Sequence, residues 1–213
     1  MKLGLLAMAA SAAVLAAAAP AAATVFFSFE PGLATPGAGF TVINDFEVDS
    51  GITGVYQIKS PPSDSDGAPP ANSSPSGTNY LSVLAGGSAT IDFGPTSAFQ
   101  FDWGSIDDYN TLTIFTNFGS GVVIPGALGN FANPANGDQL SPGTNGRFTV
   151  FSDDTAEYFT GIKLESSVNS FEIDNLAIAA GVPEPATWGL MIVGLGAAGA
   201  LLRRRRAVVL ATC

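Results

Sequence analysis

The sequence predicts an all-β fold: one antiparallel β-sandwich, preceded by an N-terminal signal peptide and followed by a single C-terminal transmembrane helix. Three observations carry this. Between Thr24 and Val182, large apolar residues alternate with polar ones in short runs, and clusters of Gly, Pro, Asn, Asp and Ser separate the runs. No uninterrupted 3.6-residue period of helix length occurs in that span. A half-apolar sheet has to bury one face, and a second sheet is the simplest cover.

The elements follow in chain order. Met1-Lys2 gives one positive charge, Leu3 to Leu15 an apolar run, and Pro20 to Ala23 a small-residue ending of the A-x-A type. Together these predict a secretory signal peptide over residues 1–23. An exported domain over residues 24–182 is expected next. Alternation in Phe99-Gln100-Phe101-Asp102-Trp103 places Trp103 in the core. Thr111 to Ile114, Phe148 to Val150, and the set Tyr158, Thr160, Ile162 and Leu164 are each expected to turn their large apolar groups to one face. Phe171 and Ile173 share a face, whereas Leu176 and Ile178 are shifted by one, which predicts a β-bulge near Asp174-Asn175. Ile106 to Asn110 reads as a turn between strands. Ser60 to Thr78 lacks any large apolar side chain and is expected to be a mobile surface loop. Gly126 to Gly146 is expected to be a second loop, held by Phe131 and Leu140.

Composition excludes several kinds of chemistry. The chain has no histidine, which removes the commonest general base and metal ligand. Its one cysteine is Cys213, so there is no intrachain disulfide, CxxC pair or cysteine zinc cluster. Every acidic residue except Glu184 lies between Thr24 and Val182, against only Lys59, Arg147 and Lys163. Such a surface repels nucleic acid and anionic head groups. A divalent cation or a neutral glycan is not repelled.

Beyond Val182-Pro183-Glu184-Pro185, which is rigid and extended, Ala186 to Leu202 carries no charge and ends against Arg203, Arg204, Arg205 and Arg206. Seventeen helical residues at about 1.5 Å each nearly span a hydrocarbon core, with Trp188 at one boundary and the arginines on the cytoplasmic side. Gly194-Leu195-Gly196-Ala197-Ala198-Gly199 spells a dinucleotide-loop pattern. That loop requires a strand before it, a long helix after it and an acidic residue about 20 positions on. None of these is present, so Gly194, Gly196 and Gly199 read as a small-residue face for close helix packing.

The order Pro183, Glu184, Pro185, Trp188, apolar helix and arginine cluster resembles the PEP-CTERM sorting signal of Gram-negative bacteria, here over residues 183–206. Residues 207–213 extend past the arginines as a short cytoplasmic tail. The resemblance implies transient anchoring in the inner membrane, processing near the PEP triplet by an exosortase, and onward passage to the cell surface or an exopolysaccharide matrix. Signal peptidase is the other processing partner expected.

Phe101 to Leu112 and Phe171 to Ile178 are similar to stretches of exosortase-dependent surface proteins. Phe171-Glu172-Ile173-Asp174-Asn175, with Asn44-Asp45-Phe46-Glu47, also resembles jelly-roll carbohydrate-binding modules, which makes the expected sandwich jelly-roll-like. That resemblance implies structural calcium, with Glu30, Glu47 and Asp174 as candidate ligands; hard oxygen donors suit calcium. Asp102, Asp107 and Asp108 invite a glycosidase reading, but a turn explains Asp107 and Asp108 more simply, and the chain is expected not to be an enzyme. The sequence thus points to a non-catalytic surface or matrix protein, with a calcium-stabilised carbohydrate-binding module as the alternative. The latter needs an exposed aromatic platform, for which Tyr56, Tyr80 and Tyr109 are the candidates.

Overall fold

In the computed structural model the described residues are 25–119, 122–125, 135–153, 157–179 and 191–195. The expected signal peptide, Phe131, the sorting residues Pro183, Glu184, Pro185 and Trp188, the glycines Gly196 and Gly199, the four arginines and the tail to Cys213 lie outside them.

The described residues form twelve strands: β1 (Val25–Pro31), β2 (Phe40–Asn44), β3 (Ile52–Val55), β4 (Gln57–Lys59), β5 (Tyr80–Val83), β6 (Ser88–Thr96), β7 (Ala98–Gly104), β8 (Asn110–Thr116), β9 (Val122–Pro125), β10 (Gly146–Ser152), β11 (Phe159–Ser166) and β12 (Phe171–Ala179). All pairings are antiparallel. The larger sheet has the order β1-β10-β7-β12-β5-β4, with β2 also on β12, and the smaller has the order β3-β6-β11-β8-β9. From β5 to β8 successive strands alternate between the sheets.

Both sheets contribute to one apolar core. Phe99, Phe101, Trp103, Phe148, Phe171 and Ile173 come from the larger sheet, and Ile91, Leu112, Ile114, Phe159, Ile162 and Leu164 from the smaller. Phe99 meets Phe159 across the interface edge to face, with ring centroids 5.3 Å apart. Trp103 is fully buried as its phase requires, stacked on Phe171 at 4.6 Å. Aromatic contacts of this kind add to the area term because ring edges and faces carry opposite partial charge.

The bulge at Asp174-Asn175 is present. Pairing of β12 with β7 shifts between Asp174 and Ala177, and Asn175 has φ 51°. The phase assigned to β11 is corrected: a second irregularity lies between Phe159 and Gly161. It brings Phe159 into the core with Ile162 and Leu164, while Tyr158 and Thr160 stay half-buried. The extra residue resets the two-residue alternation, which a strict period cannot register.

Two loop expectations also change. Leu140 is 83% exposed and anchors nothing. The Ser60 to Thr78 segment is a strap whose middle is buried, with Gly67, Ala68, Pro70 and Ser73 covered. Polar bonds hold it, as described below.

Met191–Leu195 is helical and exposed, and among the described residues a side chain at Gly194 would meet no atom within 4 Å. Among the described residues no helix is long and apolar enough to cross a membrane.

Candidate functional site

Alternation along β7 and β12 gives the larger sheet two unlike faces. One carries the aromatic core. The other carries Gln100 and Asp102 from β7, Glu172 and Asp174 from β12, and Tyr80 and Ser82 from β5, all buried. Pairing places Asp174 opposite Asp102, and Glu172 opposite both Gly104 and Ser82. An alternating strand ordinarily leaves its polar face in water; here the strap and the segment through Thr35 cover it.

The strap is fastened by hydrogen bonds. The Ala68 amide donates to Glu172 Oε1 at 3.4 Å, Ser82 Oγ donates to the Asp66 carbonyl at 2.7 Å, and Asn72 Nδ2 donates to Asp102 Oδ1 at 3.0 Å. Asn145, 1% exposed, joins three segments: its Oδ1 accepts from the Ala71 and Ser105 amides at 3.0 and 3.1 Å, and its Nδ2 donates to the Asp138 and Ser141 carbonyls. Gly104 admits the strap, since a Cβ there would lie 2.8 Å from Pro70 Cα.

The carboxylates beneath the strap are short of positive charge. Lys59, Arg147 and Lys163 are each bonded to another acid, namely Asp64, Glu30 and Glu165. Burial therefore dominates. Desolvation pushes the Glu172 carboxyl up to about 7 against the donors Ser170, Ser105 and Ala68. It pushes Asp174 up to about 7 as well, with the charges of Asp102 and Glu47 adding to the rise. Asp102 and Asp107 are raised for the same reason. Asp102 accepts from the Thr35 amide at 2.7 Å and from Asn175 Nδ2 at 3.0 Å.

The sequence-derived metal candidates separate. Glu30 stands on β1, with β10 and β7 between it and β12, and accepts from Arg147 Nε at 2.6 Å. Glu47 accepts from the Asn79 amide at 2.8 Å and lies near enough to Asp174 to act on its proton. The neighbour of Asp174 is Asp102, a residue singled out for catalysis rather than for metal. Among the described residues no group of three or more acidic side chains is placed to hold a metal ion.

Of the proposed aromatic platform, Tyr80 is fully buried. Tyr56 and Tyr109 are half-buried and donate to Asp49 Oδ1 and the Asn169 carbonyl at 2.7 and 2.8 Å. Exposed rings come instead from phenylalanines, including the stacked pair Phe26 and Phe151 at the β1 edge.

At one end of the polar layer, where the strap, the β7–β8 turn, the 136–139 segment and the β11–β12 turn meet, a cavity of about 160 Å³ opens to solvent. Asp107, Tyr109, Asn136, Gln139 and Glu172 line it. The expected turn at Ile106 to Asn110 is present, but Asp107 within it is only 7% exposed, whereas Asp108 is exposed. Sequence offered no signal for this cavity because its walls come from segments far apart in the chain.

Residues 181–206 match the family model of the PEP-CTERM protein-sorting motif. No curated protein matches the chain. Among solved structures, the catalytic domain of a GH87 alpha-1,3-glucanase in complex with tetrasaccharides is similar over 70% of this chain at 14% identity, with a TM-score of 0.37. The match spans 29% of that chain's length. A likeness of that order says nothing about activity.

Proposed function

We propose that this chain, which carries a PEP-CTERM protein-sorting motif at residues 181–206, is an exported, non-catalytic protein of the cell surface or exopolysaccharide matrix. The motif is the observation that carries this reading. In it, the signal peptide directs export and signal peptidase removes it. The C-terminal helix then holds the chain in the inner membrane with a jelly-roll-like sandwich outside. Pro183, Glu184, Pro185 and Trp188 present the processing site to an exosortase. Gly194, Gly196 and Gly199 let a helix of that peptidase approach closely, and Arg203 to Arg206 keep the end of the segment on the cytoplasmic side. Exopolysaccharide is the partner proposed for the domain. Intact-mass measurement of the extracellular form, beside Glu184→Ala, tests the reading: the wild type should lack the arginines, and the variant should retain them in the membrane.

A second reading, a calcium-stabilised carbohydrate-binding module, has one observation in its favour. Asp102 and Asp174 lie side by side, and the buried hydroxyls Ser73 Oγ and Thr35 Oγ1 stand against them. These oxygens, with water, fit the hard donor set of a calcium ion; Glu30, bonded to Arg147, does not belong to it. Calcium in excess should then raise the melting temperature, and chelator should reverse the rise. An unchanged melting temperature would discard this reading.

A further inference from the structure

We propose that the cavity beside Asp107 is a saccharide site that takes one pyranose ring of an extracellular polysaccharide. This rests on the reading of the protein as a surface or matrix component, and it gives the exopolysaccharide partner a place to bind. The volume of about 160 Å³ is room for about five waters at ~30 Å³ each, the scale of one sugar ring. The walls are almost wholly polar and of mixed type: a carboxylate at Asp107, amides at Asn136 and Gln139, and a phenol at Tyr109. A cation uses acceptors alone. A ring bearing several hydroxyls uses donors and acceptors together.

Asp107 is the decisive group. Its side chain is more than nine-tenths buried and lines the cavity. The hydroxyl beside it belongs to Tyr109, which hydrogen-bonds to the carboxylate and also lies 2.8 Å from the Asn169 carbonyl, so its one proton is shared between two acceptors. One shared phenol proton leaves most of the lone pairs of the two Asp107 oxygens open, and sugar hydroxyls donating to them would supply charge-assisted bonds. Of the other two wall carboxylates, Asp64 is paired with Lys59, and Glu172 already accepts from Ser105 Oγ, Ser170 Oγ and the Ala68 amide. They shape the cavity and leave recognition to Asp107.

Two glycines keep the space open. A side chain at Gly137, where φ is +68°, would strike the Asp107 carboxylate, and one at Gly67 would meet Ser82 Oγ at 2.9 Å and Glu172 Oε1 at 3.0 Å. The acidic lining disfavours anionic polymers by simple repulsion, so neutral or amino sugars are the class that fits.

The test is saturation-transfer NMR on the protein purified from culture. Methyl glycosides of glucose, galactose, mannose and N-acetylglucosamine serve as probes. Transfer to at least one glycoside is expected. It should fall at least tenfold in both Asp107→Asn and Gln139→Ala, while Asp92→Asn on the exposed part of β6 retains it. If Asp107→Asn fails to fold, the rim variant Gln139→Ala decides, since Gln139 is exposed. Three outcomes overturn the proposal: no transfer to any probe, transfer undiminished in the folded variants, or a response to calcium alone that Asp107→Asn removes. Binding is read on whichever form is recovered, exported or extracted whole from the membrane in detergent, so its failure leaves tail processing untouched and failure of processing leaves this result standing.

Discussion

Asn145 joins three segments that have no apolar reason to meet. All four of its principal bonds go to backbone groups, two amides and two carbonyls. Asn145→Ala should therefore cost more than about 2 kcal/mol, since each buried group left unpaired costs roughly 1–3 kcal/mol; urea unfolding measures it, and a change within error would deny Asn145 its fastening role. Nothing in Thr144-Asn145-Gly146 announces this part. Locally it reads as a turn, and the partners are 40 or more residues away for Ala71 and Ser105 but fewer than ten for Asp138 and Ser141. Trp103 was the opposite case, because its place depends only on the phase it shares with Phe99 and Phe101. Asp107 lay between: its turn was legible, but its burial depended on the 136–139 segment arriving from elsewhere.

The strap and the strands β7 and β12 beneath it act as one unit, and their chemistry is pH-dependent. Glu172 and Asp174 have folded pKa values pushed up to about 7 by burial, against about 4 in an unfolded chain. A carboxyl with a raised folded pKa holds its proton more tightly in the fold. Its stabilising contribution is full below about pH 4 and is lost as pH rises through about 7. The groups shifted the other way, Asp64 and Asp138, are solvent-exposed, so their contribution is weak. Thermal melts in chelator should show the melting temperature falling from about pH 4 to pH 7, with a shallower fall in Glu172→Gln; a flat profile would contradict the buried, charge-poor layer. If calcium binds Asp102 and Asp174, adding it should restore part of the loss at pH 7. The strap was misread from sequence because its anchors are backbone amides, Ser and Asn. These look identical in a solvated loop and in a buried polar layer. The bulge at Asp174-Asn175 was legible because it breaks an alternation between large apolar residues that is visible on both sides of it.

For the molecule as a whole, the all-β fold and the sorting motif were legible for different reasons. Two sheets around one aromatic core follow from short alternating runs, whose apolar faces have nowhere else to go. The sorting tail is a linear signal that needs no tertiary context, and residues 181–206 match its family model. Surfaces assembled from distant segments were not legible, and sequence alone named tyrosines that the fold buries or ties down. The proposed function makes the C-terminal segment a transient anchor removed during export. The most direct measurement is the intact mass of the extracellular protein. It should fit a chain beginning at Thr24 and ending near Pro183 to Pro185, with Glu184→Ala accumulating in the inner membrane at the larger mass. An extracellular or surface form that still contains Trp188 through Arg206 would contradict it.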